Sequence, residues 1–215
     1  MRSRYRMIVI ITFFVAMIVG TLFMTTGSGN RSSYPGKKSA STMDQLTEGK
    51  VIQVYDEALY SLFTHYYSYC ISDDMDGLEE CVSSTRLLNR ASMRQRYQYI
   101  EKIDNLSCYA APAVEKDFFV VYVQGDMHIR GIETPAPTLS VYLVARTFDD
   151  SMVVFVSAVP EEEEENMNKL NNSDSVRKLS DQVNSDLAKA MKKDPQLAEF
   201  VERLKEAGSG STETE

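Results

Sequence analysis

The chain holds 215 residues, 43% hydrophobic and 25% charged, with 23 lysines and arginines against 31 aspartates and glutamates and a formal charge of −8. That composition is globular, and it excludes a disordered, collagen-like or polytopic membrane chain. Arg2, Arg4 and Arg6 lie in the first six residues, so residues 7–215 carry −11, a charge that repels a phosphate backbone and excludes nucleic acid as a general partner.

Residues 1–6 read as a cationic cytoplasmic foot. Residues 7–25, MIVIITFFVAMIVGTLFMT, contain no charged side chain. As a helix they would measure about 28 Å, close to the hydrocarbon thickness of a bilayer. The run is longer than the apolar core of a cleaved signal peptide, and Leu22-Phe23-Met24-Thr25-Thr26 offers no small-x-small cleavage site. An uncleaved transmembrane signal anchor embedded in the lipid bilayer is therefore the favoured reading. The N-terminal arginines abut the run, whereas Arg31, Lys37 and Lys38 stand further from its other end. The positive-inside bias then predicts a single-pass cell-membrane protein with a cytoplasmic N-terminus and an extracytoplasmic C-terminal domain. Thr12, Ala16 and Gly20 recur every four residues, a small-residue stripe on which two such helices could pair into a homo-oligomer.

Residues 26–43 are rich in Gly, Ser and Thr and read as a flexible linker. The folded body is expected over 44–160, a C-terminal helical extension over 161–207, and a disordered tail over 208–215. Val51, Tyr55, Leu59, Leu62, Phe63, Tyr66 and Cys70 make one helical stripe, broken at Asp73-Asp74-x-Asp76-Gly77. Leu78, Cys81 and Val82 suggest a short second helix, and Arg86 to Ile103 a third. The period then becomes two: strands are predicted at Leu106 to Ala110, Phe118 to Ile132 with a bulge at Gly125-Asp126, Thr138 to Phe148, and Met152 to Val159. Asp174 can cap a following helix, and Asp194-Pro195 a last one. Helices, then an antiparallel meander, then terminal helices give an α+β domain.

Asp126 and His128 stand two apart, so a regular strand would turn both to one face, with Tyr122 in register. A base beside a polarising phenol is one arrangement for proton transfer, against a solvated polar pair as the simpler reading. Cys70, Cys81 and Cys108 lack metal-binding spacing, and the glycine after Asp73, Asp74 and Asp76 falls too early for a calcium loop, so no metal or cofactor is expected. Cys70 and Cys81 could staple the first two helices by a disulfide, or serve as buried apolar thiols; both readings stand. Tyr55, Tyr60, Tyr66, Tyr67 and Tyr69 crowd one helix, either as core or as a pocket wall. Arg86, Arg90 and Arg94 form an i, i+4, i+8 basic stripe that could receive an anionic wall polymer or an acidic partner, if it is not simply a solvated face. Glu161 to Glu165 read as a solvated connector that favours a helix start.

Three stretches carry a resemblance to a known family. They are Val54-Tyr55 with Tyr66-Tyr67 before the acidic turn, Tyr99 to Tyr109 (YIEKIDNLSCY), and Tyr122 to Pro137 (YVQGDMHIRGIETPAP). With the element order, they resemble the nuclear transport factor 2-like (ketosteroid-isomerase-like) ectodomains of exported, membrane-anchored proteins of Gram-positive-type bacteria. The likeness covers roughly residues 48–160. It implies a cone-like domain in which a bent antiparallel sheet wraps the first helix and leaves a pocket. Tyr66, Tyr109, Tyr122, Asp126 and His128 are the candidates to line that pocket, and the resemblance supplies no catalytic residue. The expected function is a non-enzymatic, membrane-anchored extracytoplasmic binding protein with a protein or cell-wall partner. The alternatives are a structural bridge in a conjugation or type IV secretion-like assembly and, less favoured, a small-molecule isomerase or dehydratase.

Overall fold

The computed structural model describes residues 42–209. The foot, the span read at 7–25, most of the linker and the end of the tail lie outside the described residues. Within them, no helix is long and apolar enough to cross a membrane.

The chain is α+β. After a 3-10 turn at Thr42–Gln45 come β1 (Ile52–Val54), α1 (Glu57–Ser72), α2 (Met75–Leu78), a second 3-10 turn (Thr85–Leu87) and α3 (Arg90–Tyr97). The strands β2 (Ile100–Pro112), β3 (Phe118–Ile129), β4 (Ala136–Arg146) and β5 (Met152–Val154) follow, then α4 (Glu161–Asn171), α5 (Asp174–Lys193) and α6 (Pro195–Ser209). The five strands form one antiparallel sheet in sequence order.

Several predicted boundaries move, for local reasons. The first helical stripe loses its start to β1, because Val54 pairs with Cys108 on β2 and the Asp56 carboxylate caps α1 by accepting from the Leu59 amide at 3.1 Å. The second helix ends at Leu78, and Val82 instead makes an isolated parallel bridge to Val154. The third stretch divides into the 3-10 turn, α3 and the beginning of β2. Ser173, not Asp174, caps α5, its hydroxyl accepting from the Val176 amide. The acidic run opens α4, where four glutamates occupy the first turn and complement its dipole.

The bulge expected at Gly125-Asp126 belongs to the facing strand. Asp104 pairs with Asp126 but Ser107 pairs with Gln124, so β2 carries the extra residue, with Asn105 in the left-handed region at φ 52°. Gly125 accommodates it: a Cβ there would lie 2.9 Å from Leu106 Cδ2 and 3.0 Å from Ile103 Cγ2.

Side chains alternate across β3. Phe119, Val121 and Val123 join Phe63, Tyr66 and Tyr142 in the main core, whereas Val120 and Tyr122 pack with Leu143, Leu170 and Val176 on the other face. Glu163, buried on α4, holds that second layer to the β2–β3 turn by accepting from the Val114 amide at 2.7 Å.

Both outer strands are short, so much of the outer edge of β2 and of β4 has no strand partner. The open stretch of β2, Ile100 to Ser107, carries Glu101, Lys102 and Asp104 and is bulged twice, features that discourage edge pairing. The open stretch of β4, Ala136 to Tyr142, is uncharged and regular. Beside it runs α5, which begins among the second layer at Val176 and Leu179 and ends against the main core at Leu187 and Met191.

An ion clamp ties the end of α1 to α3. The Asp73 carboxylate, on a left-handed residue at φ 57°, accepts from Arg90 at 2.8 and 2.9 Å and from Arg94 at 2.6 Å. Arg90 chiefly, then Arg94, holds the Asp73 pKa at about 2, below its ordinary 3.8. A depressed acid stabilises the fold above the unfolded value and stops doing so as pH falls through the folded one. The melting temperature of Asp73→Asn is therefore expected to lie below that of the parent at neutral pH and to converge with it as pH falls from 3.8 towards 2. A constant gap across that window in a pH series of thermal melts would contradict the clamp.

Candidate functional site

The main core answers the question of an interior pocket. Phe63, Tyr66, Tyr67, Tyr97 and Tyr142 are all buried and crowd together. The Phe63 and Tyr142 rings lie 4.9 Å apart, Tyr66 and Tyr142 5.6 Å, and the Tyr142 hydroxyl donates to that of Tyr67 at 3.1 Å. Burial, then the neighbouring thiol and phenols, pushes the Tyr66 pKa far up; burial first, with a smaller push from Cys70, lifts that of Tyr142 to about 12 against an opposing hydrogen bond with Tyr67. These phenols stay neutral and make core contacts. Tyr66 is consequently a core residue, apart from the other four pocket candidates.

Cys70 lies against Tyr66 in this core, and all three cysteines are buried free thiols, so the Cys70–Cys81 bridge is not formed. Burial raises Cys70 and Cys108 to about 12 and Cys81 to about 11, which suppresses thiolate chemistry. The apolar reading of these positions is the one the structure has.

On the other face, Tyr122, Asp126 and His128 share one side of β3, as the two-residue spacing predicts, yet they form no joint site. Asp126 Oδ2 accepts from Asn105 Nδ2 at 2.8 Å, and His128 Nε2 lies 3.0 Å from Asp104 Oδ1. Burial opposes the Asp104 charge, but hydrogen bonds from Lys102 and His128 outweigh it and hold the carboxyl below its usual range. Tyr122 donates to Asn171 Oδ1 at 2.7 Å, and the Tyr109 hydroxyl lies 3.5 Å from Gln124 Oε1. Each of these side chains thus has a structural partner, and Tyr122, Asp126 and His128 bond to separate groups rather than to one another. Among the described residues, no group of three His, Cys, Asp or Glu side chains could hold a metal ion.

The acidic turn and the arginine stripe are also accounted for. Asp74 caps α2 by accepting from the Gly77 amide at 3.0 Å, while Arg90 and Arg94 serve the Asp73 clamp. Only Arg86 of the stripe is left outside that clamp.

A concave feature with room for a ligand lies elsewhere. Between the open stretch of β4 and the hairpin of α5 and α6 runs a groove of about 380 Å³, within the range of small-ligand sites. Its apolar wall includes Leu139, Val141, Leu187, Phe200, Val201 and Leu204, and its polar groups include Arg177, Asp181 and Asn184 on α5. Consecutive residues from Ala136 to Val141 line it, so the strand presents its edge as well as its side chains. Of the five pocket candidates, only Tyr122 reaches it. Phe200 and Leu204 also belong to a second depression of about 480 Å³, which continues past α6 to Tyr99, Arg130 and Arg203.

The sequence carries a partial signal for this groove: α5 and α6 are amphipathic, and residues 136–145 contain no charge. What it does not carry is that β5 stops at three residues and leaves the β4 edge open. No family model, curated protein or solved structure matches the chain.

Proposed function

We propose that the protein is a non-enzymatic, single-pass membrane-anchored binding protein. In this reading residues 7–25 anchor it, its nuclear transport factor 2-like body stands outside the cell, and the β4–α5–α6 groove holds the partner. The groove is the observation that carries the reading. It is apolar, its one acidic lining residue, Asp181, is exposed on α5, and no histidine or cysteine lines it among the described residues. Such a wall suits recognition better than proton transfer, and the filled aromatic core supports the same choice.

A photo-crosslinking side chain at Ser180, in the groove, is expected to capture a discrete partner in native membranes. The same group at Glu57, exposed at the start of α1, is expected to capture none. Equal labelling from both positions, or recovery of the protein in the soluble fraction, would count against this function.

A further inference from the structure

We infer that the groove receives a straight-chain carboxylate of the fatty-acid class, with its alkyl chain along the α6 wall and its carboxylate between Arg130 and Arg203. The inference rests on the binding function proposed above and names the ligand class of the same site.

Three observations lead to it. First, the groove admits a slender apolar ligand. The helix α5 crosses β4 at Val183, which is buried, so helix and strand close on each other there and leave no width for a further strand. The space that remains is walled by Met127 and Ala136, paired across β3 and β4, by Leu187 on α5, and by Phe200, Val201 and Leu204 on α6. None of these six side chains carries a charge or a strong hydrogen-bonding group. An alkyl chain asks for no hydrogen bonds, so this wall leaves it no unpaired polar group, and each methylene taken from water adds to affinity.

Second, the charge changes along the groove. Phe200 and Leu204 line both hollows, and past them the second depression holds two exposed arginines on a body that is otherwise acidic. Arg130 lies three residues beyond Met127, about 10 Å at the strand rise of ~3.3 Å per residue. It makes no ion pair among the described residues, and Arg203 has only Glu199, with its Nε 4.0 Å from Oε1. Glu199 is also the one acidic residue lining the depression, so two guanidiniums and one carboxylate leave a single positive charge. That balance suits a head group with one negative charge, and a guanidinium matches a carboxylate in bidentate geometry.

Third, the opposite end of the groove lacks this charge. Arg177 lines that end, but Asp181 stands one turn further along α5 in the same wall. The Arg177 guanidinium also donates to Asn172 Oδ1 at 3.4 Å. The ligand is therefore oriented, its head at Arg130 and Arg203 and its tail towards α5.

The test uses the full chain in phosphatidylcholine nanodiscs at about pH 8, where a free carboxylate is ionised. The probe is dodecanoate carrying a diazirine at the far end of its chain, and peptide mass spectrometry maps the labelled residues. Label is expected within residues 136–141 or on α5 and α6, and excess unmodified dodecanoate should remove it. Arg130→Glu with Arg203→Glu is expected to lower this label at least about tenfold. The same double variant should gain label from the matching dodecylammonium probe, which shows that it is folded. Arg177→Glu is expected to change neither. The inference is overturned if label falls only outside the groove, or if dodecanol or dodecyl phosphate competes as well as dodecanoate. It is equally overturned if the carboxylate preference survives the double variant or is reversed by Arg177→Glu. Absence of groove label with the Ser180 crosslink retained removes the fatty-acid assignment and leaves the binding function. Loss of the Ser180 crosslink would instead remove the binding function itself.

Discussion

Replacing Phe63 by alanine is expected to destabilise the protein by about 3–5 kcal/mol, the cost of deleting a large ring from a packed interior. Phe63 is fully buried on α1 and touches Tyr66, Tyr67 and Tyr142, with ring centroids between 4.9 and 6.4 Å. Those neighbours are rigid aromatic side chains in one cluster and cannot collapse into the space together. Phe63→Leu should recover more than half of the loss, because leucine refills much of the volume. Urea unfolding followed by tyrosine fluorescence reads both. If the centre of the sheet instead enclosed a solvent-filled pocket walled by Tyr66, the alanine variant would lose well under 2 kcal/mol.

The second large effect concerns α6. Leu197→Ala is expected to cost about 2–5 kcal/mol, since Leu197 is fully buried and anchors the first turn of α6 in the main core. That turn is held at both sides of one aspartate. Asp194 Oδ1 accepts from the Gln196 and Leu197 amides at 3.0 and 3.3 Å, and Oδ2 accepts from the Thr134 amide at 3.2 Å. Asp194 thereby ties the helix start to the loop between β3 and β4, the same loop that carries Arg130. Loosening this turn removes the wall formed by Phe200, Val201 and Leu204 but leaves the contacts of Phe63 in place. Limited proteolysis of Leu197→Ala should therefore cut within α6 before the sheet, and the groove should lose its ligand. Phe63→Ala should show the opposite order, with global unfolding and no selective cleavage. Simultaneous loss of α6 and the sheet in Leu197→Ala would mean that the terminal helices are integral to the core rather than a wall added to it.

Much of the architecture was legible because it follows from periodicity. The strands β2 to β4 and the helices α1, α5 and α6 declare themselves by alternation, by 3.6-residue stripes and, for α6, by Asp194 as its cap. Boundaries failed where a long-range partner overrides the local pattern. The helical stripe was read from Val51, yet β-branched Ile52 and Val54 with Gln53 between them pair with Cys108–Ala110 and make a strand just after it. Gly125 signalled a bulge correctly but on the wrong strand, because the glycine is the partner that the extra residue presses against.

The candidate site was legible only in pieces. The two-residue spacing placed Asp126 and His128 on one face, but nothing local reveals that Asn105 and Asp104 bind them. Tyr66 joined the list through its place among clustered tyrosines, and only the packing puts it in the core. The arginine stripe gave no hint that Asp73 holds Arg90 and Arg94. The groove depends on where β5 stops and on α5 passing from one layer to the other, and both are properties of the assembled sheet.

Hydrogen exchange along β4 tests the site most directly. In the unliganded protein the Leu139 and Val141 amides, which face the groove, should exchange faster than those of Ser140 and Tyr142, which face β3. Addition of the partner captured at Ser180 should slow exchange along the groove-lining stretch Ala136 to Val141, leaving the open stretch of β2 unchanged. Protection centred instead on Tyr66 and Tyr142, or on Ile103 at the other sheet edge, would contradict a groove-binding protein with a filled core.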